Sequence, residues 1–449
     1  MTNIAFVSLG CDKNLVDSEV MLGLLAEEGF NIVSEYGAAD VIIVNTCCFI
    51  KDALMESIET IIELSRYKET GSLKGLIVAG CLAQRYEKDI FAEMPEVDCV
   101  LGTASYDKIV SAVKEILSGK KELRFFSDIN ISPSEDIILK RASSAAGASA
   151  YLKIAEGCNN FCTYCIIPKL RGKYRSRTIE SLVLEASVLA SKGVKELILV
   201  AQDTACYGID IYGKTVFHEL IKCLSDIEGI EWIRILYCYP EHITDETIEI
   251  MAKSPKVVKY IDMPIQHGAD SVLKRMGRKI SSSGIRTIIS KLRSAMPDIA
   301  VRTSIITGFP GETEEEFKEL LDFINEIKFD RLGVFAYSNE EGSVASKFPN
   351  QIPEKIKKKR RDILMKFQKD ISAEKCAKEL GKEIDVLIEG YLPEEGVYCG
   401  RSKKDAPEVD CMVFVSADRE IISGEIIRAY ITDTGDYDIM GREIDCEPC

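Results

Sequence analysis

The chain has 449 residues, 46% of them hydrophobic and 29% charged, with a net charge of −15. That length exceeds what one hydrophobic core organises, so two or three globular domains are predicted, and the acidic balance argues against a surface broadly coated by nucleic acid. The apolar runs are strand-sized, short of the about 20 residues of a membrane span. The N-terminus, Met-Thr-Asn-Ile-Ala-Phe-Val-Ser, lacks a basic stretch leading into a long apolar one, so a cytoplasmic protein with no membrane partner is expected.

In chain order, Ile4–Leu9, Val41–Asn45 and Gly75–Ala79 read as parallel strands. Helical periodicity over Leu15–Glu28, Lys51–Tyr67 and Gln84–Ala92 separates them. This alternation predicts a doubly wound α/β domain over residues 2–118. Pro133 and the Ser/Ala/Gly run 143–149 read as a linker. Strand signals then recur at Tyr151–Ala155, Glu196–Ala201, Trp232–Tyr237, Tyr260–Pro264, Ala300–Thr307 and Arg331–Ala336, with helices such as Ile179–Lys192, Thr244–Lys253 and Glu314–Ile327 between them. Six β/α units predict an incomplete parallel barrel, closed by a charged helix over about 353–380; this second domain spans 144–373. From 376 to 444, short β-like runs with Gly, Pro and Asp turns predict a small antiparallel β-barrel.

Sixteen cysteines in a reducing compartment point to metal ligands and small buried hydrophobes rather than disulfides. Cys158-Asn-Asn-Phe-Cys162-Thr-Tyr-Cys165 directly follows a barrel strand. A loop of this spacing wraps three thiolates around one [4Fe–4S] cube and leaves the fourth iron without a protein ligand. Its place beyond the carboxyl end of a strand is where parallel barrels carry active sites. A second set is dispersed. Cys11, Cys47 and Cys81 each follow one of the first three strands, one β/α unit apart. Parallel strands bring such residues to one sheet edge, where doubly wound folds bind ligands. Three thiols in the same place in successive repeats read as a second three-thiolate cluster. Cys48 adjoins Cys47; because Asn-Thr-Cys ends the strand, Cys47 is the ligand chosen.

Cys-x-x-x-Cys-x-x-Cys resembles the hallmark of the radical S-adenosylmethionine (SAM) superfamily. The whole layout, with Ser8-Leu-Gly-Cys-Asp-Lys-Asn-Leu-Val-Asp-Ser-Glu19, Gly80-Cys-Leu-Ala-Gln-Arg-Tyr86 and Gly308-Phe-Pro-Gly-Glu-Thr313, resembles the methylthiotransferase family over nearly the full chain. The resemblance implies that one SAM is cleaved to a radical that takes hydrogen from an unactivated carbon. A second SAM supplies the methyl group, and the open iron of the N-terminal cluster holds the sulfur being transferred. It also implies an electron donor and a sulfur donor as partners. Tyr164, before the last loop cysteine, would pack near the SAM adenine. Ala201-Gln202-Asp203 stands where relatives carry a Gly-Gly-Glu contact to the SAM amino group. Gln202 or Asp203 fills that role, or caps the strand. Gly308 gives close backbone approach to SAM, or turns the chain into the following helix. Arg171, Lys173, Arg175 and Arg177 either hold an acidic group of SAM or substrate or form a solvated loop, the latter for at least two of the four. The basic run 355–361 reads as an exposed helix face. His218, His242 and His267 show no ligand spacing, and Cys446 and Cys449 read as incidental.

Members of the family act on a modified adenosine of tRNA or on an aspartate of small-subunit ribosomal protein number twelve. The C-terminal barrel resembles a TRAM domain, often an RNA-binding module. From 372 to 449, however, nine Lys or Arg face nineteen Asp or Glu, a net of −10. Such a surface repels phosphate and suits a basic protein partner. The phrases after Cys11 and in the barrel (400–410 and 436–441) also resemble the ribosomal-protein branch. The expected activity is methylthiolation of that aspartate at its β-carbon. A tRNA methylthiotransferase is the alternative, and a non-enzymatic iron–sulfur electron carrier the alternative of another class; a carrier needs each cluster fully ligated.

Overall fold

The computed structural model describes residues 1–71, 73–142 and 147–444. The chain forms two compact units, and the first is assembled from three stretches: Met1–Ser144, Ala155–Arg177 and Ser338–Ser346. Its sheet contains β1 (Asn3–Ser8), β2 (Asn31–Val33), β3 (Val41–Thr46), β4 (Gly75–Gly80), β5 (Cys99–Leu101) and β6 (Leu123–Phe125). The order is β2-β1-β3-β4-β5-β6, and every neighbouring pair is parallel. The direction of winding reverses between β1 and β3, the place where doubly wound sheets leave a crevice beyond the strand ends. Strands β3 and β4 are buried along their whole length, because helices cover both faces and each face has its own apolar core.

Strands β2, β5 and β6 have three residues each, too few to show a period in the sequence. The helix expected over 84–92 is two short ones, Cys81–Arg85 and Ile90–Glu93. Tyr86, at φ −118° and ψ 29°, leaves helical geometry between them. Of the expected linker, residues 143–146 lie outside the described residues.

After β7 (Ser149–Lys153), which belongs to the second unit, a short antiparallel pair, β8 (Ala155–Glu156) and β9 (Arg175–Ser176), brackets the three-cysteine loop within the first unit. The second unit continues with β10 (Glu196–Val200), β11 (Trp232–Ile235), β12 (Val257–Asp262), β13 (Ala300–Thr307) and β14 (Arg331–Ala336). These five and β7 form an open parallel sheet ordered by sequence, β14-β13-β12-β11-β10-β7. Hydroxyl side chains start four of its helices. Thr178, Thr244, Ser281 and Thr313 each accept a backbone N–H three residues on, and Thr313 with Glu316 completes a capping box.

The remaining strands, β15 (Glu383–Leu392), β16 (Val397–Ser402), β17 (Val413–Ser416), β18 (Ile426–Thr434) and β19 (Ile439–Glu443), close into a barrel ordered β15-β16-β17-β19-β18. One pairing departs from the antiparallel expectation: β17 and β19 run parallel. The chain leaves β17, crosses to pair β18 with β15, and then hairpins back, so β19 meets β17 in the same direction.

This barrel packs on the amino ends of the parallel strands. Glu196, the first residue of β10, receives Nε of Arg234 at 2.7 Å and NH2 of Arg401 at 2.7 Å. Arg331, the first residue of β14, reaches Asp405 at 2.6 Å. Trp232, Tyr260, Leu387 and Ala406 share one apolar cluster there. The opposite, carboxyl edge is left for chemistry.

Candidate functional site

Strands β1, β3 and β4 are neighbours, and each runs straight into a cysteine. Cys11 follows β1, Cys47 follows β3, and Cys81 follows β4 as the first residue of a helix. The glycines before two of them are dictated by space. Gly10 has φ +91°, and a Cβ there would lie 2.5 Å from Cβ of Cys47 and 3.1 Å from its Sγ. Gly80 has φ +89°, and its Cβ would fall 2.3 Å from Oδ1 of Asn45. Only glycine lets these turns bring the strand ends so close.

The first helix (Asp12–Glu27) presents a polar inner face to this edge, which explains the motif after Cys11. Asn14, fully buried, donates from Nδ2 to the carbonyls of Leu9 and Thr46, and its Oδ1 lies 4.0 Å from Sγ of Cys81. Ser18 pairs with Ser8 and receives Nδ2 of Asn45. Ser57 clamps the backbone of Cys47 at both N and O.

Two of the three thiols are pushed up. Burial pushes the Cys47 thiol up, with the Cys11 sulfur adding to the effect. Burial likewise raises Cys81; the Arg171 guanidinium opposes this and the sulfurs of Cys47 and Cys11 reinforce it. Cys48, also fully buried, has its thiol against Arg85, and burial pushes it up to about 12.

The loop of the other triad is ordered by backbone N–H groups. Cys158 N donates to the Gly172 carbonyl at 3.1 Å, Asn160 N lies 3.4 Å from Sγ of Cys158, and Ile167 N lies 3.4 Å from Sγ of Cys165. Burial raises the Cys165 thiol, with the sulfurs of Cys162 and Cys158 adding to it. The helix Ile167–Arg171 follows at once. Ile166 and Leu170 enter a core of the first unit, and Leu170 O accepts Oγ1 of Thr103 at 2.6 Å. Both triads therefore stand in the same compact unit.

Among the basic residues after the loop, Arg171 and Arg177 are buried, Arg175 is half-buried, and only Lys173 is exposed. The expectation that at least two form a solvated loop thus fails for most of the stretch. Arg171 is tied to Asp17 and Glu156 in ion pairs. The exposed-face reading of 355–361 also needs correction. Lys357 donates to the Tyr337 carbonyl and Arg360 to Glu312, so these two turn inward. They sit one helical turn apart, and the charge run conceals that face.

Tyr164 and Gln202 are half-buried. Gly308, at φ +72°, follows β13. Lys357 fills the space beside its Cα, where a Cβ would meet Cγ at 2.4 Å, and its N–H goes to Glu312 at 2.8 Å. This geometry supports the turn into the helix Glu314–Ile327. Asp203, buried after β10, meets a histidine assigned no role from sequence and a cysteine not singled out there. His242 Nδ1 lies 2.7 Å from its Oδ2, and Sγ of Cys206 lies 3.0 Å from that nitrogen. Such a gathering across two β/α loops leaves no spacing signal. Cys446 and Cys449 lie outside the described residues.

Both triads suit iron–sulfur clusters. Each offers three sulfurs, and for Cys47, Cys81 and Cys165 burial keeps the thiol protonated unless a strongly cationic centre replaces the proton. Among the described residues, the three-donor group tight enough for a single ion is Asp203, Cys206 and His242, not either triad.

Residues 3–102 match the uncharacterized protein family UPF0004, 152–324 the radical SAM superfamily, and 380–444 the TRAM domain. The ribosomal protein uS12 methylthiotransferase RimO of Lachnoclostridium phytofermentans is 51% identical over 98% of this chain and 99% of its own. The RimO of Clostridioides difficile is 50% identical over 98% of each. The chain belongs to the RimO family.

In fold, this RimO-family chain is similar to the radical SAM methyltransferase TsrM of Kitasatospora setae, solved with cobalamin and a [4Fe–4S] cluster, with a TM-score of 0.55 at 12% identity over 75% of each chain. At that identity the likeness is one of fold alone. Among the described residues, no helix is long and apolar enough to cross a membrane.

Proposed function

We propose that the protein attaches a methylthio group to the β-carbon of an aspartate in ribosomal protein uS12, using two [4Fe–4S] clusters and SAM. What supports this reading is near-full-length similarity to RimO proteins together with two cysteine triads, three sulfurs each, that stand in one compact unit. Cys158, Cys162 and Cys165 hold one cluster, and Cys11, Cys47 and Cys81 the other. When bound, these groups and SAM supply the reducing electron, the hydrogen-abstracting radical and the methylated sulfur. The chain's own residues position and shield. Gly10, Gly80 and Asn14 fix three strand ends, and the N–H groups of Asn160 and Ile167 hold two loop sulfurs. Tyr164 and Gln202 are assigned to SAM, a reading supported by their motifs and by the place of Gln202 just after β10, while Gly308, packed against Lys357, is read as the turn into the following helix. The division into 2–118, 144–373 and 376–444 is supported by the three family matches.

The acidic C-terminal region favours uS12 over tRNA as substrate. An electron donor and a sulfur donor complete the reaction, and the cytoplasm is its place. The test is to incubate the reconstituted, reduced enzyme and SAM separately with uS12 and with tRNA, then weigh both. A methylthio gain on uS12 is expected; a gain on tRNA alone would reverse the assignment.

A further inference from the structure

We infer that Arg171 is a positioning residue that raises the reduction potential of the N-terminal cluster while pinning the helix of the other cluster loop to the same sheet edge. The inference rests on the assignment of a cluster to Cys11, Cys47 and Cys81. Arg171 ends the helix Ile167–Arg171, which begins two residues after Cys165, and its side chain is 2% exposed. Its guanidinium distributes donors over groups far apart in sequence. NH1 reaches Oδ2 of Asp17 at 2.9 Å and Oε2 of Glu156 at 3.0 Å. NH2 donates to Oδ1 of Asn14 and lies 3.7 Å from Sγ of Cys81.

Two features make this an electrostatic device as well as a strut. The helix already has an apolar anchor in Ile166 and Leu170 and a backbone anchor in Thr103, so holding it down does not require a buried charge. The contact with Cys81 has the geometry of an N–H to sulfur hydrogen bond at a cluster ligand. Reduction adds negative charge to a cluster. A cation and a hydrogen bond at the ligand sulfur stabilise that charge and raise the potential. A lysine, with one compact ammonium group, has no fork to serve Asn14, Asp17, Glu156 and Cys81 together. Asp17, on the far side of the guanidinium, pulls the other way, so the two residues make opposite predictions.

The experiment uses the full-length protein with Cys158, Cys162 and Cys165 changed to Ala, so that only the N-terminal cluster is loaded, and follows its reduction by electron paramagnetic resonance in a potentiometric titration. R171Q is expected to lower the reduced-to-oxidised ratio at a fixed potential by about tenfold, or about 59 mV for one electron. D17N, nearly isosteric, is expected to raise it. In the complementary background, with Cys11, Cys47 and Cys81 changed to Ala, R171Q should leave the loop cluster within about twofold of its parent, because the guanidinium touches no loop sulfur among the contacts described. Iron and sulfide content check loading throughout. An unmoved N-terminal potential in a fully loaded R171Q overturns the inference, as does an equal shift in both clusters. If R171Q fails to load, D17N decides, and an unmoved or lowered potential there overturns it. If the background with Arg171 intact loads no cluster, the cluster assignment itself falls and takes this inference with it.

Discussion

The ion network beneath the parallel sheet makes a sharp prediction for Glu196→Gln. Glu196 is fully buried and sits between Arg234, Arg401 and Ser149, with oxygens 2.7 to 2.8 Å from their donors. Burial opposes its ionisation, but the guanidinium groups of Arg234 and Arg401 prevail and bring the pKa down to about 2 from 4.5. The difference is worth about 3 kcal/mol of folding free energy at neutral pH. Loss of one charge from a buried network carries a similar cost of about 3–5 kcal/mol. Because the folded pKa is depressed, this stabilisation is complete above pH 4.5 and drains away as pH falls toward 2. E196Q should therefore be weaker than the parent by about 3 kcal/mol at pH 7, and the gap should more than halve by pH 3.

Trp232, the one tryptophan of the chain, is 3% exposed at the junction beside these residues, and its fluorescence reports unfolding of the second unit, which holds neither cysteine triad. In urea titrations the midpoint of E196Q should fall by about 1 M at pH 7, given an m-value of about 3 kcal/mol/M. A midpoint unchanged within about 0.2 M, or a gap as wide at pH 3 as at pH 7, would refute the reasoning.

Two further outcomes are expected. Cys47→Ala should cost the holoenzyme about half its iron and end methylthio transfer while reductive SAM cleavage continues, whereas Cys48→Ala should keep its iron, because Cys47 packs against the Gly10 turn before Cys11 while the Cys48 thiol engages Arg85; equal iron loss in both would reverse the choice between them. Gly80→Ala should destabilise the first unit by about 1–3 kcal/mol and reduce cluster loading, since the new Cβ meets Asn45 and Thr46 at a positive φ. Thermal unfolding and iron analysis measure both effects, and a variant as stable and as iron-rich as the parent would contradict the packing described.

Periodicity and spacing carried much of the architecture. The long strands and helices have clear apolar patterns, and one cysteine per β/α unit marks a shared sheet edge. What escaped has physical causes. Strands β2, β5 and β6 have no room for a period, and the parallel β17–β19 contact depends on which way the chain crosses the barrel. The charged residues escape for another reason. The ion pair of Arg171 and the inward turn of Lys357 and Arg360 leave no sign in sequence, because their partners Asp17, Tyr337 and Glu312 come from distant segments. Asp203 and His242 are likewise 39 residues apart. Sequence spacing registers repeats along a chain, not pairings formed where loops converge.

The first unit closes only when its third stretch arrives. Arg85 donates to Glu340 across 255 positions, and Thr163 O accepts the N–H of Ala345. During synthesis the sheet emerges within the first 144 residues, yet its final partners leave the ribosome about 200 residues later, roughly 10–40 s at ordinary elongation rates. For that interval the sulfurs that end as neighbours belong to an unfinished crevice. Until then Arg85 and the Thr163 carbonyl lack the partners that they hold in the finished unit, so its last contacts are also its longest in sequence.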